Sequence, residues 1–82
     1  MPRVNHNADT FWYGETGIIP RGHSYGHITS VDGNTTVLFA NGDTYTVADG
    51  EVLPLWHIGE PCEEISVTAP EQGYAKCYWI MS

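Results

Sequence analysis

Between residues 25 and 55 the chain alternates apolar and polar positions in short stretches, cut at Asp32-Gly33, Asn41-Gly42 and Asp49-Gly50. Period-two alternation bounded by turn dipeptides predicts strands. β-Branched and aromatic residues fill the stretches, and Asp-Gly and Asn-Gly tolerate the positive φ of tight hairpins. The pattern therefore predicts a three-stranded meander over residues 25–31, 34–40 and 43–48. Val52-Leu53-Pro54-Leu55-Trp56 is too short for an α-helix and too apolar for an open loop, which predicts a 3₁₀ turn plugging one end of a barrel. Residues 64–68 alternate again, Pro70-Glu71-Gln72-Gly73 is turn chemistry, and residues 74–81 return, so a C-terminal hairpin is predicted over 64–81.

Residues 1–10 are polar and aperiodic, the pattern of an arm that is mobile in the monomer or ordered by a neighbour. Phe11-Trp12-Tyr13 opens a single domain over 11–82. Side chains alternate across a pleat, so Trp12 takes one face and Phe11 and Tyr13 the other. Ile18-Ile19-Pro20 reads as a strand edge or end. No stretch of ten or more residues has helical spacing. The prediction is an all-β fold of five to six short antiparallel strands, which must close on themselves or form a tight sandwich to hide their edges, and in 82 residues a small barrel is the economical form.

Length, charge and cysteines bound the function. A single domain of 82 residues buries about 60 to 65% of its unfolded surface, so its core is thin and association would add burial. Three Trp, five Tyr and two Phe are a large aromatic supply for a core or an interface; each Trp taken alone is expected in the core. Ten Asp and Glu against Arg3, Arg21 and Lys76 give a net charge of −7. Phosphate backbones repel such a chain, so nucleic acid is not an expected partner, and a basic partner is favoured. The acids are spread and only Glu63-Glu64 are adjacent, which also fits plain solubility. Cys62 and Cys77 form no CxxC, leaving neither a zinc ribbon nor a thioredoxin-type motif. Without a signal-peptide h-region or a membrane-length apolar run, the expectation is a soluble cytoplasmic protein with reduced thiols.

The run Ser24-Tyr25-Gly26-His27-Ile28-Thr29-Ser30-Val31-Asp32, then Val37-Leu38-Phe39 with Asn41-Gly42, then Val52-Leu53-Pro54, resembles the core of Tudor and related SH3-like barrels. The resemblance implies an SH3-like barrel of the Tudor type. Tudor domains that read methylated side chains enclose the cation in aromatic faces, and Tyr25 and Phe39 match two of those walls. Ile18 falls where another aromatic belongs, and residues 40–43 lack the family's Tyr. The SH3-like barrel also hosts the tetrameric type II dihydrofolate reductases, but Thr44-Tyr45-Thr46-Val47 lacks the Gln of their pore motif.

The register of the first hairpin decides which aromatics meet. A two-residue turn at Asp32-Gly33 sets Gly26 opposite Phe39; a bulge at Gly33 sets Tyr25 there. His23 and His27 are about 13 Å apart on an extended strand and cannot share one ion there, and zinc would need His6 and His57 to converge with them. Chance triples such as Cys77, His57 and Glu60, or Ser24, His23 and Asp43, have little diagnostic value. Cys77 is expected as a small core residue. No catalytic residue, metal site or cofactor is predicted. The expected function is a non-catalytic module that binds a protein or peptide, with a cationic ligand favoured, through Trp12, Tyr13, Tyr25, Phe39 and Asp43. The alternatives are a small-molecule site or enzyme formed at a homo-oligomer interface, and an acidic inhibitor mimicking nucleic acid.

Overall fold

A computed structural model describes residues 5–56 and 62–81. It contains eight strands: β1 Asn5–Trp12, β2 Thr16–Ile19, β3 His23–Val31, β4 Thr35–Leu38, β5 Thr44–Val47, β6 Val52–Trp56, β7 Ile65–Thr68 and β8 Tyr74–Met81. Every pairing is antiparallel, and no helix occurs among the described residues. The strands form two four-stranded sheets, sheet A in the order β1-β8-β3-β6 and sheet B in the order β2-β7-β4-β5. The all-β reading is correct. Among the described residues, however, the two ladders do not join into a closed barrel, and there are eight strands rather than five or six.

Apolar positions of one parity decide how the sheets face each other. From sheet A come Phe11, Ile28, Leu55, Ala75, Cys77 and Trp79; from sheet B come Ile19, Val37, Val47, Ile65 and Val67. Packing is close enough that the Phe11 ring occupies the space where a side chain on Gly17 would project, which is why β2 carries glycine there.

Four predicted elements differ from the structure, and each difference traces to sheet assignment. The Asp32-Gly33 hairpin does not form: β3 pairs with β6 and β8, while β4 pairs with β5 and β7. Both strands point small or apolar residues into the core, and burying both sets is achieved by crossing between sheets. The crossing is held by Ser30, whose hydroxyl donates to the Gly33 carbonyl at 2.6 Å and accepts from the Thr35 hydroxyl at 2.7 Å. Consequently neither predicted register applies, and Phe39 does not face β3. The 64–81 hairpin fails likewise, since β7 lies in sheet B and β8 in sheet A. Its turn packs on the first crossing: a side chain on Gly33 would strike Pro70, and one on Gly73 would strike the Val31 carbonyl.

Residues 52–56 form strand β6, not a 3₁₀ turn. Pro54 is accommodated because β6 is the edge of sheet A, where a missing N–H costs no ladder bond on the open side. The predicted arm is, from Asn5 onward, strand β1, paired with β8 from Asn5↔Met81 to Trp12↔Tyr74; residues 1–4 lie outside the described residues. Its polarity is that of a protected edge: Asp9 sits opposite buried Cys77 on the inward-facing side. The Asn41-Gly42 hairpin forms as predicted, with β4 and β5 paired from Thr35↔Val47 to Leu38↔Thr44 and Gly42 at φ +92°.

Candidate binding face on the outside of sheet A

Residues directly opposite one another in antiparallel ladders share a face, so the register defines what sheet A shows on its outer side. At one end, Trp12, Tyr74 and Val31 form a row, followed by Thr10, Lys76, Thr29 and Val52. The third row is Ala8, Tyr78, His27 and Pro54, and the fourth is His6, Ile80, Tyr25 and Trp56. The rings touch across strands. Trp12 and Tyr74 have centroids 4.7 Å apart, His27 stacks on Tyr78 at 5.2 Å, and Trp56 meets Tyr25 edge-on at 5.1 Å. His6 Nδ1 is hydrogen-bonded to the Tyr78 hydroxyl. Trp12 and Trp56 remain 46% and 64% exposed, so this aromatic layer is open to solvent.

The opposite outer face has different chemistry. Across sheet B, Thr16, Thr68, Thr36 and Thr46 stand in one row and Ile18, Ser66, Leu38 and Thr44 in the next. Thr16 and Thr68 share a hydrogen bond at 3.0 Å. Hydroxyls dominate there, as suits a hydrated surface.

Charge is partitioned as sharply. Of the described carboxylates, Glu15, Asp32, Asp49, Glu51 and Glu71 lie in the connections at one end of the sandwich, and Asp43, Glu63 and Glu64 in those at the other. Asp9 has the inward parity of β1 but, on the edge strand, is itself solvent-exposed. None lies on the outer face of either sheet; the one formal charge on that of sheet A is Lys76, without an ion-pair partner among the described residues.

The predicted site residues divide over three places. Trp12 and Tyr25 belong to the outer face. Tyr13 leaves the strand with φ +49° and packs 5.7 Å from Trp12, extending that face's edge instead of joining Phe11 on the inside. Phe39 lies beyond β4 and lines a shallow apolar depression of about 220 Å³ with Ala40, Cys62 and Ile65. Asp43 is in the β4–β5 turn, where its carboxylate accepts from Asn41 Nδ2 at 3.0 Å. Of the tryptophans only Trp79 is core; Trp12 and Trp56 are not, contrary to expectation. Sequence reasoning missed Trp56, Tyr74, Tyr78 and His27. The available signal was β8 itself, apolar at both parities, which marks a central strand with large side chains on both faces.

Among the described residues the remaining chemical candidates do not assemble a reactive site. A register shift between His23 and Tyr25 turns His23 inward, its Nδ1 3.1 Å from the Pro20 carbonyl, while His27 points outward. Among the described residues no three His, Cys, Asp or Glu side chains gather to hold a metal. Ser24 follows the inward His23, and Asp43 is engaged with Asn41; His57 and Glu60 lie outside the described residues. Cys62 and Cys77 are free thiols. Burial pushes the Cys77 thiol up to about 12, with the Asp9 carboxylate adding to the rise, and burial also raises Cys62.

With this geometry in place, the chain can be set beside known proteins. No family model and no curated protein matches it. It resembles the protein NMB1881 from Neisseria meningitidis. That crystal structure superposes with a TM-score of 0.59 at 20% identity, over 100% of this chain and 80% of that one. The likeness shows a shared fold.

Proposed function

We propose that this protein is a non-catalytic binding module that engages a protein partner through the outer face of sheet A. The observation carrying this reading is aromatic content: the outer faces of both sheets are free of described carboxylates, but only that of sheet A gathers Trp12, Tyr25, Trp56, Tyr74 and Tyr78 on one surface. Interface cores are depleted in charge and enriched in Trp and Tyr, whereas the outer face of sheet B carries mainly hydroxyls. The face favours an apolar protein surface over a small cation, since Tyr25, Phe39 and Asp43 do not converge and the Tudor-like aromatic cage has no common face to form on. Division of the carboxylates between the two ends of the sandwich likewise favours a solubilising role over nucleic-acid mimicry.

A site-specific photocrosslinker tests the reading in the cells that make the protein. With p-benzoylphenylalanine at position 56 or position 12, discrete protein adducts are expected; at position 38, on the outer face of sheet B, they are not. Equal labelling at all three positions, or none at 56 and 12, would overturn the assignment.

A further inference from the structure

The proposed binding face raises the question of its occupant, and we infer that the occupant is a second copy of this chain, packed face to face on sheet A about a two-fold axis. The inference rests on the binding reading above and names its partner. Three observations support it.

The first is electrostatic. Two chains of charge −7 repel unless the contact excludes their carboxylates; the outer faces of both sheets exclude them, and that of sheet A alone adds a layer of aromatic rings. Its one charge is also compatible with self-pairing. A two-fold axis lying in the face and running across the strands sets β8 on β8 with the rows reversed. Lys76 in the second row then faces Tyr78 of the other copy in the third, an ammonium over an aromatic ring. The first row, Trp12, Tyr74 and Val31, meets the fourth, with His6, Ile80 and Tyr25. The two lysines lie one row apart across the axis, about 6.8 Å along the strand, each over a Tyr78 ring and not directly opposite the other.

The second is the condition of the edges. A second copy arriving by strand addition would need an open ladder, but β6 carries Pro54 and β1 carries the inward Asp9, both devices that disfavour edge pairing of sheet A. Association through the face requires neither edge.

The third is area. Four strands at a spacing of about 4.8 Å and four rows at a pitch of about 6.8 Å cover about 500 Å² per copy, or about 1,000 Å² for the pair. That reaches the lower bound of a specific interface. For a domain this small, it is a large addition to a thin core.

Light scattering coupled to size exclusion, from micromolar to millimolar chain, measures the outcome. The expected mass at high concentration is twice the 9.1 kDa chain. Trp12→Glu, at a 46% exposed position that faces His6 of the other copy, is expected to weaken the dimer about 30-fold or more. Leu38→Glu on sheet B leaves it intact. Circular dichroism melts confirm folding, and Val52→Glu, at a 52% exposed position, is the second sheet A variant and stands alone if Trp12→Glu does not fold. A wild-type chain that stays at 9.1 kDa throughout, or a dimer that survives both sheet A substitutions, overturns the inference. The crosslinker at position 56 separates the two failures. A monomer whose adducts contain a different protein removes the second copy and keeps the binding face, whereas a monomer with no adducts removes both.

Discussion

Cys77 shows how one small side chain serves the arrangement of large ones. It is fully buried between Ile28 and Asp9 in the ladder, and with Ala75 it leaves room on the inside of β8 for the core of sheet B, while Tyr74, Tyr78 and Ile80 project outward. Burial holds its thiol at about 12, against 9.0 for an ordinary thiol. Below pH 9 both folded and unfolded chains keep the proton and stability is complete. Between 9 and 12 only the unfolded chain loses it, so stability falls as pH rises. Urea unfolding at pH 7 and pH 10 should show a loss of about 1 kcal/mol from this group. In Cys77→Ala that share of the alkaline loss should disappear; an unchanged slope would mean another group titrates. The core role of Cys77 was legible in the sequence from its place in an apolar run. The exposure of Trp12 and Trp56 was not, because a tryptophan's fate depends on which face of its strand meets the other sheet.

At the scale of elements, β1 and β6 were misread for a common reason. Propensity and polarity report what a segment prefers alone, but both segments are edge strands whose composition answers to the need to avoid foreign pairing. A polar run with an inward Asp9 looks like an arm, and a Pro-interrupted apolar run looks like a turn. Their strand character comes from the partners: β8 for β1, and β3 for β6. Deleting residues 1–9 distinguishes strand from arm. Removal of most of the β1 ladder, with Phe11 retained, should cost about 2 kcal/mol or more and lower Tm by roughly 10 °C. An unaltered melt would show that the segment contributes nothing to the fold. The β4–β5 hairpin was legible because its turn, Asn41-Gly42, lies within one sheet and local backbone preference decides it.

For the whole molecule, the connections at one end carry Glu15, Asp32, Asp49, Glu51 and Glu71 and no Lys or Arg. The crossing turns draw some of these close, with the Asp32 amide donating to the Asp49 carboxylate at 3.0 Å and Glu71 beside Gly14. Like charges held together in the folded state repel, and salt screens them. Raising sodium chloride from about 0.05 to about 0.5 M should therefore raise Tm by a few degrees. A flat or falling Tm would mean that this end is not under electrostatic strain. The same separation of charge leaves the outer faces of both sheets free of described carboxylates, so the net charge of the molecule resides at the two ends of the sandwich.

By itself the sequence determined the class of the fold: strands throughout, turns at Asn41-Gly42 and the other glycine sites, in an acidic, aromatic-rich chain. Period-two alternation and backbone preference are local properties, and they act before any partner is chosen. Only the tertiary structure decided that the chain crosses between sheets at Asp32-Gly33 and at Pro70–Gly73, and so which aromatics are inside and which form the open face. Those choices are settled by burying the apolar sides of two sheets against each other, an energy that exists only once distant strands meet.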